Sequence, residues 1–207
     1  MSSFDLPTVV NRIIACRNTN CKILPYAALK FVILHRTDLC TLDLQANPHP
    51  IENGLLDGPE LAERFKNRNL GTAGLTPYHF LIRANDPDFT IEQLIPITLR
   101  GAHAIGYNWR SLAVACVGDF RTNYIPHKMW NSLCELLALL IPINGGLDVV
   151  GHTDLPGAAA DPNKVCPGQH LSPVSAKAQA LSILPIDYAS WNQGAIDHRL
   201  IQAGILI

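Results

Sequence analysis

The chain has 207 residues, 48% of them hydrophobic and 16% charged, with a formal net charge of −1. That length and composition exclude a disordered chain and supply a core for one large domain, or for a domain with an appendage. The near-neutral balance excludes a global basic field, so neither nucleic acid nor an anionic membrane is an expected partner.

Met1 to Leu6 shows no basic segment followed by a long apolar run, so the expectation is synthesis in the cytoplasm without a signal peptide. The longest apolar stretch, Leu136 to Ile143, is too short to insert across a bilayer. In chain order, "PTVVNRIIACR" from Pro7 has apolar residues at helical spacing and predicts a helix. "LKFVILH" (Leu29 to His35) is a continuous apolar run and predicts a buried strand. A polar, turn-rich stretch follows from Gln45 to Gly58, then "GPELAERFKNRN" predicts a helix with Pro59 in its first turn. "PYHFLIRA" (Pro77 to Ala84) predicts a second strand, "NDPDFTIEQLIP" a turn and another, and "SLAVACVGDF" a buried strand ending at Gly118.

The longest predicted helix lies in "IPHKMWNSLCELLALLIPINGG", with Met129, Trp130, Leu133, Leu136, Leu137, Leu140 and Ile141 at spacings of three and four. Asn144-Gly145-Gly146 stops it, and "LDVVGH" is a last strand. Beyond Pro173, "VSAKAQALSIL" and "DYASWNQGAIDHRLIQAG" predict two helices, the second closed by Gly204. Strands alternating with helices argue an α/β fold with a central sheet flanked by helices and a helical C-terminal extension.

Six cysteines, Cys16, Cys21, Cys40, Cys116, Cys134 and Cys166, show no disulfide framework. Cys116 and Cys134 sit in apolar patterns and read as core. Cys166 follows a polar loop that leaves "LDVVGH". His35 and His152 each close an apolar strand, at the edge where open α/β sheets collect ligands. Two imidazoles and one thiolate suit a single zinc ion with a fourth position left for water. Taken singly, each reads equally as a packed core residue.

Lys164 lies two residues before Cys166, so in an extended segment both point to one side. An ammonium there suits an oxyanion formed when water attacks a carbonyl. Tyr78 and His79 are strand neighbours facing opposite ways, and parity leaves open which one faces the metal edge. His49, His127, His170 and His198 carry no comparable signal.

The segments "FVILHRTD", "TPYHFLI", "RGAHAIGYNWRSLAVACVGDF" and "VVGHTDLPGAAADPNKVCPGQHL" together resemble the zinc-dependent N-acetylmuramoyl-L-alanine amidases, which share their fold with peptidoglycan recognition proteins. The similarity is to the phage lysozyme-type (endolysin) branch and spans about two thirds of the chain, from Phe31 to Leu171. It implies a mixed sheet, with His35, His152 and Cys166 as ligands of one Zn²⁺. It implies Tyr78 and Lys164 as catalytic residues, and peptidoglycan as the substrate. His103 and Asn108 match the stretch beside the groove and read as supporting residues more readily than catalytic ones, and Arg36 stands where many relatives have a second histidine; these three are candidate substrate contacts. The loop after His152 carries "GAAAD" as an insertion relative to the shortest phage enzymes, and it is expected to border the substrate groove.

The expected organisation is an N-terminal extension over 1–25 packed on the domain, an amidase domain over 26–173 and a helical extension over 174–207, in a monomer. The rival expectations are a peptidoglycan-binding module without catalysis, and a bacterial wall-recycling or effector amidase.

Overall fold

The computed structural model describes residues 7, 9–11, 23–37, 77–83, 90–159 and 164–207. The polar stretch from Gln45, the helix expected after Gly58, Cys16, Cys21, Cys40 and His49 lie outside them. Strands β1 (Val9–Asn11), β2 (Phe31–Thr37), β3 (Phe80–Ile82), β4 (Ile91–Gln93), β5 (Ser111–Val117) and β6 (Asp148–Gly151) form one sheet in the order β1-β4-β3-β5-β2-β6. It is mixed: β3 and β4 are antiparallel, and the other neighbours are parallel. The described helices are α1 (His127–Leu140), α2 (Pro173–Ile183) and α3 (Gln193–Gln202).

The period-two alternation of β2 and β5 divides the sheet into two faces. Val32, Leu34, Leu112, Val114 and Cys116 join Phe80 and Ile82 in the main core, against Met129, Leu133, Leu136, Leu137 and Leu140 of α1. Ala176 and Ala180 of α2 and Ile196 and Leu200 of α3 belong to that same core. The C-terminal helices therefore pack on the sheet domain through a shared apolar interior. Lys177 of α2 also pairs with Asp148 at the start of β6. Cys116 and Cys134 are buried thiols, as their apolar setting suggested, and burial pushes both thiols upward, Cys134 to about 12.

Three local expectations are corrected. Val9–Asn11 is a strand, not the start of a helix: it pairs in parallel with Ile91–Gln93, and Val9 N–H also donates to the Ala203 carbonyl at 3.1 Å. Backbone pairing to a sheet edge outweighs a short helical periodicity. The segment from Asp187 is not one helix. A 3₁₀ turn at Tyr188–Ser190 precedes α3, whose N-cap Asn192 accepts from Ala195 N–H at 2.9 Å. The strand expected from Pro77 begins only at Phe80, so Tyr78 and His79 precede it.

Candidate metal centre

The second sheet face is built to hold imidazoles. His35 lies on β2 with Ile33 on the face away from α1, and pairs in register with Ala115 of β5. On that face β5 presents Ser111, Ala113, Ala115 and Val117, side chains small enough to leave room for rings. His35, His79, His103 and His152 are all buried there.

His152 directly follows Gly151, the last residue of β6. The chain turns at this point because the Asp154 carboxylate accepts Gly151 N–H at 2.7 Å and closes a 3₁₀ turn. Cys166 returns from the next loop and is gripped by Thr153. The Thr153 hydroxyl donates to the Cys166 carbonyl at 2.9 Å and accepts its N–H at 3.3 Å. Gly168 then lets the chain pass against Phe120: its φ is +114°, and a Cβ would stand 2.5 Å from the Phe120 carbonyl.

Donor atoms of His35, His152 and Cys166 all lie within 4.8 Å of one another. Cys166 Sγ is 3.8 Å from His35 Nδ1, and the His35 and His152 rings are 4.6 Å apart. Zinc–ligand bonds of about 2.0–2.3 Å in tetrahedral geometry separate donors by roughly 3.5 Å, so this set needs only small adjustment to share an ion. His152 Nε2 lies 2.9 Å from the Ala158 carbonyl, which can only accept. The proton therefore sits on Nε2 and leaves Nδ1 with a lone pair. Burial pushes His35 well below the ordinary imidazole value, and His103, His152 and Lys164 act in the same direction. A neutral imidazole is the form that binds metal. Two such rings and one sulfur fit zinc by softness and number.

Tyr78 reaches the cluster: its ring centroid is 5.0 Å from that of His35. Because it precedes β3, strand alternation does not govern it. It packs beside Leu81, Ala115 and Val117 rather than with Phe80. His79 is committed to the backbone, accepting Ala113 N–H on Nδ1 at 3.0 Å and donating from Nε2 to the Leu99 carbonyl at 2.8 Å. Lys164 acts electrostatically on His35, and Val165 between Lys164 and the buried Cys166 is 51% exposed, the alternation expected of an extended segment.

The three candidate substrate contacts have these partners within the protein. Arg36 shares the parity of Leu34 and points away from His35; it is buried, with Nε 3.7 Å from Asp119 Oδ1. Asn108 Oδ1 accepts the backbone N–H groups of His103 and Ala104 at 2.8 and 2.9 Å, fixing the loop that carries His103. His103 is buried, its Nδ1 3.1 Å from His35 Nε2.

Sequence reasoning missed Thr153 and Ser111, whose hydroxyls bond Cys166 and His103. The hydroxyls of Thr153 and Ser111 look like ordinary turn and strand-start residues. In the "GAAAD" stretch, which was expected to border a groove, Ala158 supports the cluster. Its carbonyl orients His152 and accepts Ile105 N–H at 2.8 Å.

The sequence profile of the family described as N-acetylmuramoyl-L-alanine amidase matches residues 25–169. Over 146 residues the chain is 27% identical to a peptidoglycan-recognition protein of Drosophila simulans, covering 69% of this chain and 70% of that protein. Among solved structures, the endolysin N-acetylmuramoyl-L-alanine amidase LysCS from Clostridium intestinale superposes with a TM-score of 0.60 at 24% identity, covering 84% of this chain and 96% of that one. The Ph2119 endolysin from a Thermus scotoductus bacteriophage superposes with a TM-score of 0.55 at 19% identity, covering 83% and 98%. At those identities the two structures establish a common fold.

Proposed function

The chain belongs to the N-acetylmuramoyl-L-alanine amidase family, and from that premise we propose that it is a zinc-dependent hydrolase of the amide between N-acetylmuramic acid and L-alanine in peptidoglycan. The observation that carries this reading is the convergence of His35, His152 and Cys166. A zinc ion held by those three side chains supplies Lewis acidity, polarising a carbonyl and acidifying water.

The residues around it supply the rest. The hydroxyl of Tyr78 and the ammonium of Lys164 donate to the lactyl carbonyl oxygen as negative charge gathers on it. Cys166, as a thiolate, offsets part of the metal's charge, and a nearby cation answers that deficit. Water contributes a hydroxyl to the carbonyl carbon and a proton to the amide nitrogen. The carbon–nitrogen bond breaks, the amine of L-alanine departs with its peptide stem, and the carboxylate stays on the glycan.

We assign the enzyme to phage lysis, where an endolysin meets the wall. The likeness to the structures of two endolysins supports that setting. Among the described residues, no helix is long and apolar enough to cross a membrane. The competing reading is a recognition module, favoured by the name of the Drosophila relative. The presence of Cys166 together with Lys164 favours catalysis.

Digestion of purified sacculi followed by mass spectrometry of the new ends tests the proposal. New L-alanine amino termini on intact glycan strands are expected. New reducing sugar ends would make the protein a glycosidase. Binding to sacculi with no cleavage and no zinc on metal analysis would make it a recognition module.

A further inference from the structure

The loop Gly101–Arg110 brings a third histidine, His103, to the back of the candidate metal cluster, and the hydrogen bonds there fix where each proton sits. Ser111 Oγ is 2.7 Å from the Tyr107 carbonyl and 3.3 Å from His103 Nε2. The carbonyl can only accept, so the hydroxyl proton goes to Tyr107. Ser111 Oγ then faces His103 Nε2 as an acceptor, and Nε2 carries the proton of that ring. His103 Nδ1 is left with a lone pair, 3.1 Å from His35 Nε2. His35 must donate across that contact. Its own Nδ1, the atom 3.8 Å from Cys166 Sγ, is left free of hydrogen.

We propose that His103, with its own proton fixed by Ser111, is a positioning residue that presets His35 as the Nε2-protonated tautomer, so that Nδ1 is the atom offered to the metal. The inference rests on the reading of His35 as a metal ligand. The relay runs in one direction: Ser111 to the Tyr107 carbonyl, His103 to Ser111, His35 to His103. Asn108 holds it in place by accepting the His103 backbone N–H.

Metal-ligating histidines are commonly oriented by a carboxylate or a backbone carbonyl on the distal nitrogen. His152 follows that pattern through Ala158, whereas His35 uses a neutral imidazole. Such an acceptor orients the ring without adding negative charge. With Cys166 as a thiolate ligand, such an acceptor would leave more of a bound zinc's positive charge for the carbonyl.

The test uses the full chain, with zinc alone as the ligand. In the metal-free wild type, long-range ¹⁵N–¹H correlation spectra should show His35 and His103 each as a single Nε2–H tautomer. His103→Ala should leave His35 in mixed tautomers and weaken zinc binding, measured by chelator competition, about 10- to 100-fold. His103→Gln offers an amide oxygen to the same N–H and should recover most of that affinity. Ser111→Ala should give an intermediate loss with mixed His103 tautomers, and it carries the test if His103→Ala does not fold.

An Nδ1–H His35 in the wild type would overturn the proposal, as would a His103→Ala protein with unchanged tautomer and zinc affinity. A wild type that binds no zinc, yet shows His35 protonated at Nε2, would support the relay and overturn the functional reading instead.

Discussion

Thr153 holds Cys166 by three hydrogen bonds: its hydroxyl donates to the Cys166 carbonyl and accepts the Cys166 N–H, and its own N–H donates to that carbonyl at 3.0 Å. His152 is its immediate neighbour, so one residue ties the turn of the second imidazole to the loop of the sulfur. Thr153→Val keeps the shape and the backbone bond but removes the hydroxyl. The cost should be about 1–2 kcal/mol of stability, with zinc affinity lower by roughly tenfold because the sulfur is no longer fixed. Urea unfolding and zinc competition measure the two effects; a variant indistinguishable from wild type in both would remove Thr153 from the site.

The proposed ligands and the proposed donors should separate cleanly in a metal assay. Cys166→Ala and His152→Ala are expected to lose both zinc and activity, because two remaining donors do not retain the ion. Lys164→Ala and Tyr78→Phe are expected to keep one zinc per chain and to lose about 10²–10³-fold in kcat, the scale for removing a donor to a developing oxyanion. Full activity in Lys164→Ala would sink the role given to that lysine.

Much of this architecture was legible in the chain because its core strands are written as runs. "FVILH" opens β2 and "SLAVACV" is β5, and the three-and-four spacing of α1 is the face that covers them. The histidines proposed as ligands were legible because each stands at or near a strand's carboxyl end. Their supports were not. Ser111 meets His103 through a loop turn, and Thr153 meets Cys166 across a loop. Polar contacts of that kind leave no periodicity to read. Arg36 was a candidate because it stands where many relatives of the resembled family have a second histidine; next to His35 in a strand, it lies on the opposite face. Val9–Asn11 escapes such reading because its partner, β4, is about eighty positions away and local spacing holds no trace of it.

Arg36 and Asp119 should therefore behave as a structural pair. Arg36→Met removes the cation beside a buried carboxylate and should cost about 3 kcal/mol, while zinc content and KM stay as in wild type. A raised KM at full stability would favour a substrate-contact role for Arg36 instead. The pH dependence has a defined sign. Hydrogen bonding from Arg121 is the main cause that holds Asp119 down to about 2, with Arg36 adding to it, against an unfolded value of 3.8. Its contribution is complete above 3.8 and is lost as pH falls from there toward 2. Asp119→Asn should flatten the acid limb of the stability curve over that window.

His79 gives the opposite end of the same argument. Its two ring nitrogens are both used in the neutral form, Nδ1 accepting from Ala113 and Nε2 donating to Leu99, so a second proton would break the Ala113 bond. Burial is the main cause that pushes it from 6.5 down to about 4, against the upward pull of the Leu99 carbonyl. Above 6.5 both the folded and the unfolded chain keep this ring neutral. Below 6.5 the unfolded chain takes a proton that the native state refuses, so stability falls with pH until about 4 is reached. One such group contributes a slope of about 1.4 kcal/mol per pH unit within the window. The metal-free His79→Gln protein will be less stable throughout, but its stability should fall less steeply between those two values. Urea unfolding of both proteins across the window measures the difference, and parallel slopes would mean that His79 titrates in the fold as it does in water.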